Sequence, residues 1–178
     1  MIRIGIDAMG GDFAPNNVIL GAIEAHSYIG TDTKIFLIGD EKKITEVCQH
    51  YGIDSGNFVI VHAPESIEMG EHPVRAFRKK KKSSLVVGFN MLAEGKIDVF
   101  ASAGNTGAIL AGSVQVLNNI PGIIRPCIPA QIPLANGRNM LLLDVGFNSD
   151  TRADVLYQFG IMGSIFAKAM MGIDNPRV

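Results

Sequence analysis

Short apolar runs alternate along this chain with longer segments whose apolar residues recur at helical spacing. Residues 2–7 (Ile-Arg-Ile-Gly-Ile-Asp), 34–39 (Lys-Ile-Phe-Leu-Ile-Gly), 57–62 and 97–102 have strand length and composition. Between the first two, the segment 16–29 puts Val18, Ile19, Ala22, Ile23 and Ile29 on one face, with Pro15 near its first turn. Asp40 is placed to cap a helix over 41–51 that ends at Gly52. A loop over 63–72 leads into helical segments over 73–82 and 84–94, and a helix over 106–117 follows the 97–102 strand. Residues 127–135 and 139–145 read as two further strands. A closing helix over 153–171 carries Leu156, Phe159, Met162, Phe166 and Met170 at helical spacing. This order predicts one α/β domain over 1–178, with a doubly wound, largely parallel sheet and helices on both faces. The near-continuous apolar strands agree, because parallel strands are covered on both sides.

Composition narrows the function classes. The 178 residues are 47% hydrophobic and 19% charged, ample for a core. A formal net charge of −1 gives no global field toward nucleic acid or an anionic membrane, and Trp is absent, which removes the best stacking platform for bases. Cys48 and Cys127 share no metal-ligand spacing and read as buried small hydrophobes in a reducing compartment. Met1 runs straight into a strand, with no secretory segment. The uncharged stretch 99–124 is broken by Asn105, Asn118, Asn119, Pro121 and glycines, so it reads as buried rather than membrane-spanning.

In a doubly wound sheet, ligands sit outside the carboxyl ends of the strands. Three such ends pair Gly with Asp, Asn, Ser or Thr: Asp7-Ala8-Met9-Gly10-Gly11-Asp12, Ser102-Ala103-Gly104-Asn105-Thr106-Gly107, and Asp144-Val145-Gly146-Phe147-Asn148-Ser149-Asp150. The second is a strand, a turn of little side-chain bulk and a helix start, an arrangement that brings backbone N–H groups close to an anion. Asn105 or Thr106 suits the N-cap, and either could instead face a bound phosphate. The same residues also serve ordinary βα turns. No G-x-G-x-x-G follows the first strand, and no P-loop, H-E-x-x-H or G-x-S-x-G is present. Of His26, His50, His62 and His72, only His72, before Pro73, is a weak site candidate.

Six of the eight residues 75–82 are cationic: Arg75, Arg78, Lys79, Lys80, Lys81 and Lys82. On a helix, 75, 78, 79 and 82 share a face. That face is either a solvated helix end or a funnel for phosphate, a phosphopantetheine arm or an acidic carrier.

Asp7–Asp12 with Pro15, the Arg78–Ser84 segment, Ser102–Ala108, Arg125-Pro126, Leu143–Gly146 with Asn148, and the closing Gly172–Val178 together resemble the bacterial phosphate acyltransferase (PlsX) family. The resemblance runs in order along the whole chain and matches the first half of that family's longer chain. Phe147 departs from it, standing where the family has a small residue. The resemblance implies a fold similar to the phosphotransacetylases and the isocitrate/isopropylmalate dehydrogenases. It implies transfer of a long-chain acyl group from acyl carrier protein to inorganic phosphate, giving acyl phosphate for phospholipid synthesis. It further implies a cytoplasmic homodimer, peripheral at the inner membrane face in the full chain, with no cofactor, metal or nucleic acid.

Phosphate is the nucleophile in that chemistry, which matches the missing serine elbow. The roles that follow put Asn105, Thr106 and Asp7 in the catalytic set. Gly10, Gly11, Asp12, Ser102, Gly104, Gly107, Asp144 and Asn148 go to substrate or phosphate, and Arg75, Arg78, Lys79 and Arg125 to the carrier protein. Because a carboxylate repels phosphate, Asp7 and Asp12 are expected to orient neighbours or a catalytic cation rather than to touch phosphate. Two alternatives stay open: a short-chain acetyl- or butyryltransferase using coenzyme A, and a binding fragment without turnover.

Overall fold

The computed structural model of the chain describes residues 1–30, 32–146, 148 and 150–178. The Phe147 departure therefore lies outside the described residues, as does Ser149. The chain divides into two compact units, Met1–Asn118 and Asn119–Val178.

In the first unit, β1 (Ile2–Asp7), β2 (Thr33–Gly39), β3 (Val59–His62) and β4 (Val99–Ala101) form one parallel sheet in the order β3-β2-β1-β4. Alternation along β2 sorts its side chains between two layers. Ile35 and Leu37 pack with Ile19 and Ala22 of α1 (Asn16–Tyr28) and with Ile44, Val47 and Cys48 of α2 (Glu41–His50). Ile38 and Phe36 face the other way, toward Met91 of α4 (Ser84–Ala93) and Ile97. Each fully buried residue of this kind contributes roughly 1.5–3 kcal/mol. Beyond α4, Phe77 of α3 (Pro73–Lys79) and Ala108 and Ala111 of α5 (Thr106–Gly112) complete a second cluster with Leu85, Val86 and Phe89. The expected helix over 106–117 is α5 followed by a π-helical turn, Ser113–Leu117.

The local signals act as read. The Asp40 carboxylate accepts from the Lys42 and Lys43 amides at the start of α2, and Gly52 follows that helix with φ 66°. At the amino ends of β1 and β4, Arg3 and Asp98 pair through side chains (Nη2–Oδ1 2.6 Å), and the Asp98 amide donates to the Arg3 carbonyl. That pairing locks the register of two strands far apart in sequence.

In the second unit, β5 (Pro129–Pro133) and β6 (Asn139–Leu143) pair antiparallel, Gln131 opposite Leu141, and α6 (Ala153–Met171) packs on β6. These two strands thus form their own hairpin and do not extend the parallel sheet. The reason is the short link, closed by hydrogen bonds between Leu134 and Arg138 and between Gly137 and Leu134 around Asn136-Gly137. A parallel crossover takes a dozen or more residues. Along α6 the buried residues are Val155, Phe159 and Ala167, whereas Leu156 and Met170 of the expected stripe are exposed. A two-stranded hairpin covers only a narrow strip of a helix that is apolar nearly all round. No helix among the described residues is long and apolar enough to cross a membrane.

Candidate functional site

The strand order places the topological switch point between β1 and β4. From β1 the chain builds outward to β2 and β3, then returns to lay β4 on β1's other side. Ligands of open α/β sheets bind at that position. Two of the three Gly-rich strand ends meet there.

Asp7, 3% exposed, is the centre of the meeting. Its Oδ2 accepts from the Ser102 hydroxyl at 2.7 Å, and its Oδ1 accepts from the Met9 amide at 3.1 Å. The Ser102 oxygen in turn accepts from the Gly104 amide at 3.1 Å. One chain of hydrogen bonds therefore joins the β1 loop to the β4 turn, and its charged acceptor makes it stronger than a neutral pair. Gly10 lies directly over this chain, where a Cβ would sit 2.6 Å from Asp7 Oδ2 and 2.9 Å from Ser102 Oγ. Gly11 follows with φ 111°, a conformation side-chain-bearing residues avoid. Asp12 is exposed beyond it.

Asn105 is the N-cap of α5, its Oδ1 accepting from the Ala108 amide at 3.0 Å. Its Nδ2 is also engaged, facing the carbonyls of Glu68, Met69 and Glu71 at 3.1–3.2 Å. Thr106 is exposed, and Gly107 packs against Pro73, where a Cβ would lie 2.5 Å from Pro73 Cγ. The strand-end set Asp7, Gly10, Gly11, Ser102, Gly104, Asn105, Thr106 and Gly107 is thus brought together within one unit.

The basic run does not share one helical face. Helix α3 ends at Lys79, and Lys80 turns back to donate from Nζ to the Ser66 carbonyl at 2.7 Å and to pair with Glu71. That hydrogen bond holds the Glu71 carboxyl below its usual range. The Lys82 amide donates to Glu65 Oε2 at 2.9 Å. Arg75, Arg78 and Lys79 remain together and line a shallow groove of about 410 Å³ with His72 and Val74. The parts of Glu65, Glu71 and Lys80 carry no sequence signal, since each depends on how the 63–72 loop folds back.

Asp144 and Asn148 lie in the second unit. The Asp144 carboxylate accepts from the Ile128 amide at 2.7 Å and the Asn148 amide at 2.6 Å, and Asn148 Nδ2 donates to the Pro126 carbonyl at 3.1 Å. Exposed Arg125 donates to the Asp150 carbonyl at 3.0 Å. Burial pushes both thiols up, that of Cys127 with help from the Asp144 charge, so neither is primed as a thiolate. Among the described residues no cluster of His, Cys, Asp and Glu is placed to hold a metal ion.

A phosphate acyltransferase from Desulforamulus reducens is 45% identical and aligns with 100% of this chain. Those from Caldanaerobacter subterraneus and Listeria monocytogenes are 42% and 40% identical over 99% of it. The chain spans about half the length of these relatives, 51–52%. A solved structure of EutD phosphotransacetylase from Staphylococcus aureus superposes with a TM-score of 0.67, at 20% identity, over 97% of this chain and 54% of that one. That likeness shows the shared α/β fold. The profile of the fatty acid synthesis protein family matches residues 2–178, and the chain belongs to that family.

Proposed function

We propose that this chain carries the phosphate side of an acyl transfer from a long-chain acyl-carrier-protein thioester to inorganic phosphate, yielding acyl phosphate for phospholipid synthesis. The observation that carries the reading is the likeness, along the length of this chain and over about half of theirs, to phosphate acyltransferases at 40–45% identity. The switch-point cluster is in keeping with it.

A phosphate oxygen attacks the thioester carbonyl carbon and the carbonyl oxygen becomes an oxyanion. The C–S bond then breaks, and the thiolate leaves and takes up a proton. The protein's work is to hold phosphate in line and to oppose the developing charge. The exposed Thr106 hydroxyl and the first-turn amides at Thr106 and Gly107, which lack intrahelical acceptors, are the groups assigned to phosphate or oxyanion. Gly10 and Gly11 let the β1 loop approach the substrate closely. Asp7 acts through Ser102, holding the β4 turn in place, and Asp12 orients neighbours at the loop's rim. Asp144 and Asn148 shape their own strand end. Arg75, Arg78 and Lys79 form the face assigned to the acidic carrier, with Arg125 a second cation for it. A homodimer peripheral at the inner face of the membrane completes the proposal.

The test is release of free thiol from long-chain acyl carrier protein by the complete natural chain, with and without inorganic phosphate. Phosphate-dependent release supports the reading. Release only from coenzyme A thioesters, or no release, overturns it.

A further inference from the structure

The side-chain amide of Asn105 has one acceptor and two donors. All are used within the chain. Oδ1 caps α5 through the Ala108 amide, and Nδ2 is shared among the carbonyls of Glu68, Met69 and Glu71. The residue is 7% exposed. No donor is left over for a ligand.

What the Nδ2 holds is the irregular segment 65–72, which forms no helix and pairs only through an isolated parallel bridge between Glu65 and Ser83. Three other tethers act on it: Lys80 on the Ser66 carbonyl and on Glu71, Glu65 on the Lys82 amide, and buried Ile67 in the cluster around Phe77. The segment leads at His72 into α3 and the basic groove. Asn105 therefore stands at a joint. Its main chain belongs to the turn held by Asp7 and Ser102, and its side chain lies under the strap that delivers the groove. We propose that Asn105 is a positioning residue that locks segment 65–72 to the first turn of α5, and so sets the register between the switch-point cluster and the basic groove.

Chemistry at this position selects an amide. Ser or Asp would keep a capping oxygen for the Ala108 amide. Neither offers the two N–H groups that face the three carbonyls, and Asp would set negative charge against them. Asn105→Ser is the cleaner variant, because it adds no charge near a phosphate. Lys80→Met loosens the same segment from its other side.

The experiment measures hydrogen exchange and steady-state kinetics on the complete natural chain. Expected for Asn105→Ser is exchange at least tenfold faster across 66–72, with 106–112 protected as in the parent. The KM for acylated carrier rises several-fold and the KM for phosphate stays put. Lys80→Met should accelerate the same peptide and move the same constant, and the double variant should fall short of the product of the two effects. Unchanged exchange with a raised phosphate KM would show that Asn105 is a ligand contact, and would overturn the proposal. Faster exchange with both constants unmoved would overturn the coupling to the groove. The kinetic arm rests on the proposed function, whereas the exchange arm does not. If the parent releases no thiol, the reaction fails while exchange still decides the role of Asn105.

Discussion

Replacing Gly10 by Ala tests the meeting of the β1 loop and the β4 turn directly. The added Cβ would sit 2.6 Å from Asp7 Oδ2 and 2.9 Å from both Ser102 Oγ and the Gly104 nitrogen. Ordinary contact begins near 3.4 Å, so the carboxylate must retreat by about 0.8 Å. It has little room to do so. Asp7 is held by the Met9 amide and the Ser102 hydroxyl, and the Gly104 nitrogen is backbone. Overpacking of this kind costs about 1–3 kcal/mol. Taking about 2 kcal/mol, the melting temperature of a protein of this size falls by roughly 4–8 °C. Misplacement of a positioned group by roughly 1 Å costs on the order of 10²-fold in rate. The internal control is Gly21→Ala on the outer face of α1, where an added Cβ meets nothing within 4 Å. There the same substitution should stabilise by about 0.5–1 kcal/mol through backbone entropy alone. Thermal melts and phosphate-dependent thiol release on both variants are the assay. If Gly10→Ala melts and turns over like the parent, the close approach of the two strand ends is wrong, and with it the placement of the site.

Two further outcomes follow from charge. Reversing Arg75, Arg78 and Lys79 to Glu should raise the KM for acyl carrier protein steeply at low salt and leave that for phosphate unchanged; equal effects on both would remove the carrier-face assignment. Hydrogen bonds from Arg3 hold the Asp98 carboxyl down at about 2, so this pair's stabilisation is present at neutral pH and is lost as pH falls from about 4 toward 2. Asp98→Asn should flatten the acid unfolding curve in that window, and an unchanged slope there would show that the pair does not link β1 to β4 in solution.

Much of the molecule is written locally. The alternation along 34–39, the helical spacing over 16–29, the Asp40 cap and the Gly52 stop all act over a few residues, and each appears in the structure where the pattern puts it. The Gly-rich strand ends were legible for the same reason, since turn chemistry is local. What tertiary structure decided was which of those ends meet. Asp7 and Ser102 are 95 residues apart, and only the order β3-β2-β1-β4 makes them hydrogen-bonded neighbours. Strand order is a property of the whole packed sheet, and no short window of sequence encodes it. The same holds for Lys80, which composition places in a solvated cationic run and folding turns back onto Glu71 and Ser66. It holds for Asn105, one of two residues, with Thr106, whose type and place suited a helix cap, and the one that the structure sets there. Its grip on segment 65–72 required a loop more than thirty residues away to close over it. The hairpin of β5 and β6 lies between the two cases: both strands were read from the sequence, but the alternation of strands and helices elsewhere suggested that they extend a parallel sheet, and they pair antiparallel with each other. Sequence determined the elements and the chemistry at their ends, through forces that act over one or two turns of chain. The fold determined which chemistry is shared, because burial and pairing are satisfied only by the assembled unit.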